Sequence, residues 1–159
     1  MPGLVIHAIN ARKGTLAIAA LPGAGGDYAG DLRDIGAWRP GLVISLTTQD
    51  EMDAVGATDL GQDLQRMGSR WVHLPIDDFG VPGTEVVPLW PAASASARQA
   101  LGGGGRVLVH CRGGCGRAGM IALRLLIESG ERPEPALKRL RAVRSCAVET
   151  DAQMQWAIA

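Results

Sequence analysis

Residues 110–119 read His-Cys-Arg-Gly-Gly-Cys-Gly-Arg-Ala-Gly and stand between two apolar runs of different character. Before them, residues 106–109 (Arg-Val-Leu-Val) have the β-branched bias of a buried strand. After them, residues 120–127 (Met-Ile-Ala-Leu-Arg-Leu-Leu-Ile) are apolar and helix-prone. A strand that runs into a glycine-rich turn and continues as a helix leaves few architectures open: the helix must pack back on a sheet. The turn also has a chemical consequence. N–H groups converge at the helix N-terminus, and the helix dipole adds partial positive charge. Cys111 sits there, where a thiol pKa of about 8.5 can fall to roughly 3.5–7.5. The amides of Arg112, Gly113, Gly114, Cys115 and Gly116 can cradle a tetrahedral oxyanion. Arg117, six positions after Cys111, can grip two of its oxygens through a planar fork.

A nucleophile, an anion cradle and a bidentate clamp in one loop point to cysteine attack on a phosphate ester. Such a reaction expels an alkoxide or phenoxide, which leaves faster if protonated, and a general acid is worth about 10²–10⁴-fold. Residues 71–80 (Trp-Val-His-Leu-Pro-Ile-Asp-Asp-Phe-Gly) offer an apolar strand ending at Pro75, followed by Asp77 and Asp78 on a turn. Asp78 lies 33 residues before Cys111, room for a loop, one long helix and a return strand. Two adjacent carboxylates near a bound dianion push one pKa upward, which suits a group that must be protonated before it acts. A solvated turn is the alternative reading of the same pair.

Other functions fit these residues less well. A nucleotide-binding turn does not require Cys and Arg at this spacing. Rhodanese-like sulfurtransferases also use a cysteine in an anion-cradling loop, but a shorter one with no upstream aspartate. Zinc at His110, Cys111 and Cys115 is disfavoured because adjacent His-Cys cannot easily share one tetrahedral ion and no second pair follows. Three cysteines, an odd count, argue against a disulfide framework. Cys115 has two open readings: capture of a sulfenic acid formed on Cys111, or filling of a small apolar slot. Cys146 reads as a packed structural cysteine. The balance of 16 basic and 16 acidic residues, with no basic run, argues against nucleic-acid partners. No apolar stretch approaches the ~20 residues of a membrane span. Arg12 and Lys13 before residues 14–21 faintly mimic an export signal, but a strand running into the Leu21-Pro22-Gly23 turn accounts for them better.

The pattern His-Cys, five residues, Arg resembles the signature of the cysteine-dependent protein tyrosine phosphatase superfamily. Within it the sequence is similar to the small dual-specificity branch, including the kinase-associated phosphatases and the phosphatases of regenerating liver. Leu21-Pro22-Gly23, residues 43–47 (Val-Ile-Ser-Leu-Thr), residues 75–78 (Pro-Ile-Asp-Asp) and residues 147–150 (Ala-Val-Glu-Thr) with Gln153 extend the likeness from residue 21 to the C-terminus. The resemblance implies a phosphocysteine mechanism with Cys111 as nucleophile, Arg117 as clamp and Asp78, rather than Asp77, as acid. It implies no metal or other cofactor, and phosphorylated proteins or small phosphoesters as substrates. It gives His110 a supporting role behind the cysteine and Gln153 a part in placing the hydrolytic water, a helix-surface position being the other reading of Gln153. Arg112 at the pocket rim leaves room for phosphoinositides. Two positions depart from the pattern. Ala118 stands where most relatives carry Ser or Thr, whose hydroxyl eases thiolate departure, so a slow enzyme or a phosphate-sensing binding protein is the competing expectation. Glu149 replaces the Gln of the kinase-associated type.

At 159 residues and 47% apolar, the chain suits one domain, residues 1–159. Strands are expected near 5–9, 16–21, 42–46, 71–74 and 106–109. Helices are expected near 28–37, 58–67, 85–101, 116–128, 134–143 and 150–157, the third delayed to about 92 by Pro88 and Pro91. The alternation implies an α/β fold with a central, mostly parallel sheet flanked by helices. A low-pKa thiol suits a reducing cytoplasm.

Overall fold

The computed structural model describes residues 3–159. It is an α/β fold built on one five-stranded sheet. β1 (His7–Ala11), β2 (Gly14–Ala19), β3 (Leu42–Ser45), β4 (Arg70–His73) and β5 (Arg106–His110) lie in the order β1-β2-β5-β3-β4. β1 and β2 form an antiparallel hairpin, and β2, β5, β3 and β4 run parallel. The first strand begins two residues later than expected. The reason is the hairpin: Ala11 pairs with Gly14, which leaves Arg12 (φ 51°) and Lys13 as its two-residue turn.

The inner strands β2, β5 and β3 are buried on both faces, and their side chains divide by the period of two. Leu16, Ile18, Leu42, Ile44, Val107 and Val109 face one core. Helices α4 (Trp90–Gly102), α5 (Gly116–Glu128), α6 (Pro133–Val143) and α7 (Asp151–Ile158) cover that side. Ala17, Ala19, Val43 and Leu108 face the other core, beneath α1 (Tyr28–Trp38), α2 (Gln49–Ala54) and α3 (Leu60–Arg66). α2 was not expected from the sequence. α4 starts at Trp90 after a short 3₁₀ turn at Val87–Leu89, with Pro91 in its first turn, where a missing N–H costs nothing.

α5 is the central helix, buried from Gly116 to Met120 and along most of its length. Gly119 lets the segment after α6 lie against it: a Cβ there would come within 2.5 Å of the Val148 nitrogen. That contact brings residues 147–150 beside the loop that opens α5. No helix among the described residues is long and apolar enough to cross a membrane.

Candidate active site

Because β3, β4 and β5 are parallel, their carboxyl ends share one edge of the sheet. Strand-like bonds continue past each end: Leu46 N donates to the His110 carbonyl, Leu74 N to that of Ser45 and Ile76 N to that of Leu46. The sheet thereby delivers the Thr48–Glu51 turn, the acid loop and the cysteine loop to the same place.

Cys111 follows β5 directly, is 2% exposed and carries a free thiol. The loop from Arg112 to Gly114 folds so that its carbonyls point outward, to Leu21 and to Arg144. The Arg112 carbonyl accepts from Leu21 N at 3.1 Å, that of Gly113 from Arg144 Nη2 at 2.9 Å and that of Gly114 from Arg144 Nε at 3.3 Å. Among the described residues, the N–H groups of 112–118 find no backbone acceptor. With carbonyls out, the amides face inward, and the first turn of α5 adds its own unpaired donors. Gly114 takes φ 76°, and a Cβ there would meet the Ala19 carbonyl carbon at 2.7 Å, so only glycine fits this turn.

Arg117 is 1% exposed and its fork is already held. Nη1 donates to Glu51 Oε1 at 2.7 Å and to the Ile76 carbonyl at 2.8 Å; Nη2 donates to Glu51 Oε2 at 2.8 Å. Asp78 Oδ1 lies 3.3 Å from Nη2, and Nε has no partner among the described residues. Of five N–H bonds, then, three are fixed. The Nε edge and the Nη2 proton facing Asp78 are left for an oxyanion, which can be gripped side-on by two parallel bonds.

Glu51 is the functional residue the sequence reading missed. It stands at the third position of α2 in a capping box: Thr48 Oγ1 accepts from Glu51 N, and Glu51 Oε1 accepts from Thr48 N at 3.0 Å. Its signal was present as Thr48-x-x-Glu51 directly after an apolar strand. Burial alone would raise the Glu51 carboxyl, but bonds from Arg117 and from the Thr48 backbone outweigh it and hold it below the usual carboxylate range. Burial in turn works against the Arg117 charge, and Glu51 more than compensates, holding the guanidinium above its ordinary value.

A cavity of about 310 Å³ opens over the cysteine loop. Asp78 and Phe79 line it from the acid loop, Cys111, Arg112, Gly113 and Cys115 from below, and Glu149 from the segment before α7. Asp77 lies outside it and lines a neighbouring cavity with Thr48 and Pro75. Phe79, at φ 62°, presents a 61% exposed ring at the rim, another feature the sequence reading passed over. Gln153 is fully buried, not on a helix surface. Its Oε1 accepts from the backbone N–H of Glu149 (2.9 Å) and Thr150 (3.2 Å), and its Nε2 donates to the Gly80 carbonyl (3.1 Å). That amide ties the acid loop to α7 and has little left with which to place a water. Ala118 is buried in the core cluster that includes Cys111. His110, behind the loop, is fully buried, and burial pushes its pKa down to about 4.

The cysteines correct three expectations. Cys115 and Cys146 form a disulfide, with Cα atoms 5.1 Å apart. The odd count therefore did not exclude a disulfide; one pair forms and Cys111 is the cysteine left over. Cys146 is a covalent partner, not a packed thiol. In this state Cys115 has no thiol with which to capture an oxidised Cys111. The pairing escaped the sequence because it depends on α6 returning residue 146 to the start of α5.

A family model for the dual-specificity protein tyrosine phosphatase domain of the Swiss Army Knife type matches residues 32–157. The chain belongs to that phosphatase family. Human protein tyrosine phosphatase type IVA 3 is 34% identical over 87 residues, which are 55% of this chain and 50% of that protein, so the match spans about half of the relative. Solved structures of the same fold include a kinase-associated phosphatase whose catalytic-site cysteine is substituted by serine. It superposes with a TM-score of 0.86 at 22% identity, covering 99% of this chain and 93% of that one. Tk-PTP in its active form gives a TM-score of 0.71 at 26% identity, covering 89% and 87%. PTPMT1 in complex with PI(5)P gives 0.74 at 18% identity, covering 94% and 91%.

Proposed function

We propose that this phosphatase-family protein hydrolyses phosphomonoesters, aryl esters such as phosphotyrosine first among them, through a phosphocysteine intermediate. The observation that carries the reading is that free Cys111 and Asp78 line one cavity over the cysteine loop, with Arg117 Nη2 3.3 Å from Asp78 and its Nε without a partner among the described residues. Substrate phosphate enters that cradle and takes the Nε–Nη2 edge, displacing Asp78 from Nη2. The Cys111 thiolate attacks phosphorus as the bond to the leaving oxygen breaks, and protonated Asp78 gives that oxygen its proton. Water then attacks phosphorus, Asp78 takes its proton, and the sulfur–phosphorus bond breaks to release phosphate. Charge on the equatorial oxygens is met by the amides of residues 112–116 and by Arg117. The exposed ring of Phe79 offers an aryl leaving group a surface to lie against. Phosphoserine and phosphothreonine are further substrates under this reading.

A cytoplasmic setting belongs to the same reading, since a thiolate nucleophile persists where thiols stay reduced; the Cys115–Cys146 bond would be open to reduction there. The test is a stopped-flow assay with a chromogenic aryl phosphate. Wild type should turn over and Cys111→Ser should not; undiminished turnover in the variant would overturn the mechanism.

A second reading rests on Ala118, a buried methyl where a hydroxyl would assist thiolate departure. Loss of that assistance slows the second step and favours a protein that holds phosphate more than it turns it over. Under this reading wild type shows a burst and Ala118→Ser removes it while raising steady-state turnover. A wild type without a burst excludes it.

A further inference from the structure

Four side chains gather behind the cysteine loop, Ser45 and His110 fully buried and Trp71 and His73 partly so. β3 and β5 pair Ser45 with His110, and β3 and β4 pair Ser45 with His73, so these three residues lie abreast at the carboxyl edge of the sheet. Trp71, two residues before His73 on the same face of β4, stacks on its ring at 5.1 Å. Trp71 Nε1 donates to Ser45 Oγ at 2.8 Å, Ser45 Oγ lies 2.5 Å from His110 Nε2, and His110 Nδ1 lies 3.3 Å from the Cys111 carbonyl. Ser45 and His110 are both fully buried.

Counting protons leaves one arrangement. An indole N–H only donates, a carbonyl only accepts, and a neutral imidazole carries a single N–H. The groups facing His110 are His73 from β4, Arg117 from α5, Glu51 from α2 and the neighbouring Cys111; burial dominates them and keeps the ring neutral. Its one proton must therefore sit on Nδ1, the only nitrogen facing an obligatory acceptor. Nε2 is then a bare lone pair, and the Ser45 hydroxyl donates to it while accepting from Trp71. The line runs Trp71 to Ser45 to His110 to the Cys111 carbonyl with no polar atom unsatisfied.

We propose that Ser45, backed by Trp71, is a positioning residue for the nucleophile. The reason lies in the peptide plane. In a trans peptide the C=O and N–H point in opposite directions. Anchoring the Cys111 carbonyl to His110 on the sheet side therefore aims the Arg112 N–H into the cradle, where its dipole favours a thiolate and a bound oxyanion. Ser45 holds the imidazole in the tautomer and orientation that make this anchor. Ser45 carries no charge and touches no substrate; it acts only through the ring.

This inference rests on Cys111 being the nucleophile but not on any turnover, and its test needs none. The first measurement is the tautomer of His110 in wild-type protein by ¹⁵N–¹H correlation of the imidazole nitrogens. Protonated Nδ1 with bare Nε2 is expected, and the opposite assignment overturns the proposal. The second is the pH dependence of Cys111 alkylation by iodoacetamide. In Ser45→Ala the midpoint should rise by about one pH unit, a tenfold loss of thiolate at a fixed pH below it. Trp71→Phe should raise it by less, and Ser45→Thr, which keeps the hydroxyl, should restore the wild-type midpoint. If Ser45→Ala fails to fold, Trp71→Phe carries the same test. An unchanged midpoint in the folded variants overturns the proposal. A wild type with the expected tautomer and alkylation profile but no phosphatase turnover would sink the enzymatic reading and leave this one standing.

Discussion

Replacing Glu51 by alanine removes both oxygens from the Arg117 fork and half of the capping box that starts α2. Arg117 is then a guanidinium at 1% exposure with only the Ile76 carbonyl and the more distant Asp78 as partners. Deleting one member of a buried ion pair costs about 3–5 kcal/mol. Glu51 is 18% exposed, so water reaches the site and the lower end, about 3 kcal/mol, applies. The lost cap adds about 1 kcal/mol, for a total of about 4 kcal/mol. Catalysis should suffer separately, because a clamp misplaced by about 1 Å costs about 10²-fold in kcat/KM. Glu51→Gln keeps the shape but sets an amide N–H₂ against Arg117 Nη2; it should lose less stability and still lose most of the rate. The assay is chemical denaturation beside steady-state kinetics on an aryl phosphate. The pH dependence has a definite sign. Because the Glu51 carboxyl is held below its ordinary value of 4.5, its stabilisation is complete above that pH and disappears as pH falls through the lowered folded value. Glu51→Gln should flatten that acid limb. Wild-type kcat/KM in folded Glu51→Ala would refute the reasoning, since the cysteine loop alone would then suffice to aim Arg117.

Asp78→Asn should lower kcat by about 10²–10⁴-fold for alkyl and phenyl leaving groups and much less for those that need no proton. Asp77→Asn should stay within a few-fold of wild type, as Asp77 lines a different cavity; a leaving-group series on both variants checks this. The Cys115–Cys146 bond closes a 31-residue span, for which the chain-entropy relation gives about 4 kcal/mol. Cys146→Ser should therefore unfold roughly 10 °C below oxidised wild type in a thermal melt, and a reductant should bring wild type down to meet it.

How much of this was legible in the sequence follows from the range of the interactions. The strand, glycine turn and helix around Cys111 are written in consecutive residues, and so is the Pro75–Asp78 turn. The parallel sheet followed from alternation. Glu51 was missed because α2 is only six residues long and mostly polar, too short for helical periodicity to declare itself. Its Thr-x-x-Glu cap was readable, but nothing local says that a capping carboxylate also faces Arg117, 66 residues away. The Cys115–Cys146 bond and the Gln153 strut to Gly80 have the same character: each joins segments whose meeting depends on how α5, α6 and α7 pack. The first strand slipped because the hairpin turn, not the apolar run, sets its register.

The outward carbonyls of the cysteine loop are held by the turn after β2, by the end of α6 and by β5. An oxyanion that settles on the inward amides therefore draws on groups fixed by both halves of the chain. Its occupancy is a property of the whole domain, and any tetrahedral oxyanion becomes a thermal reporter of the site. At a hundred times its dissociation constant such a ligand adds about 2.7 kcal/mol to global stability, so a melt in vanadate or phosphate can map this cradle in variants that have lost all turnover.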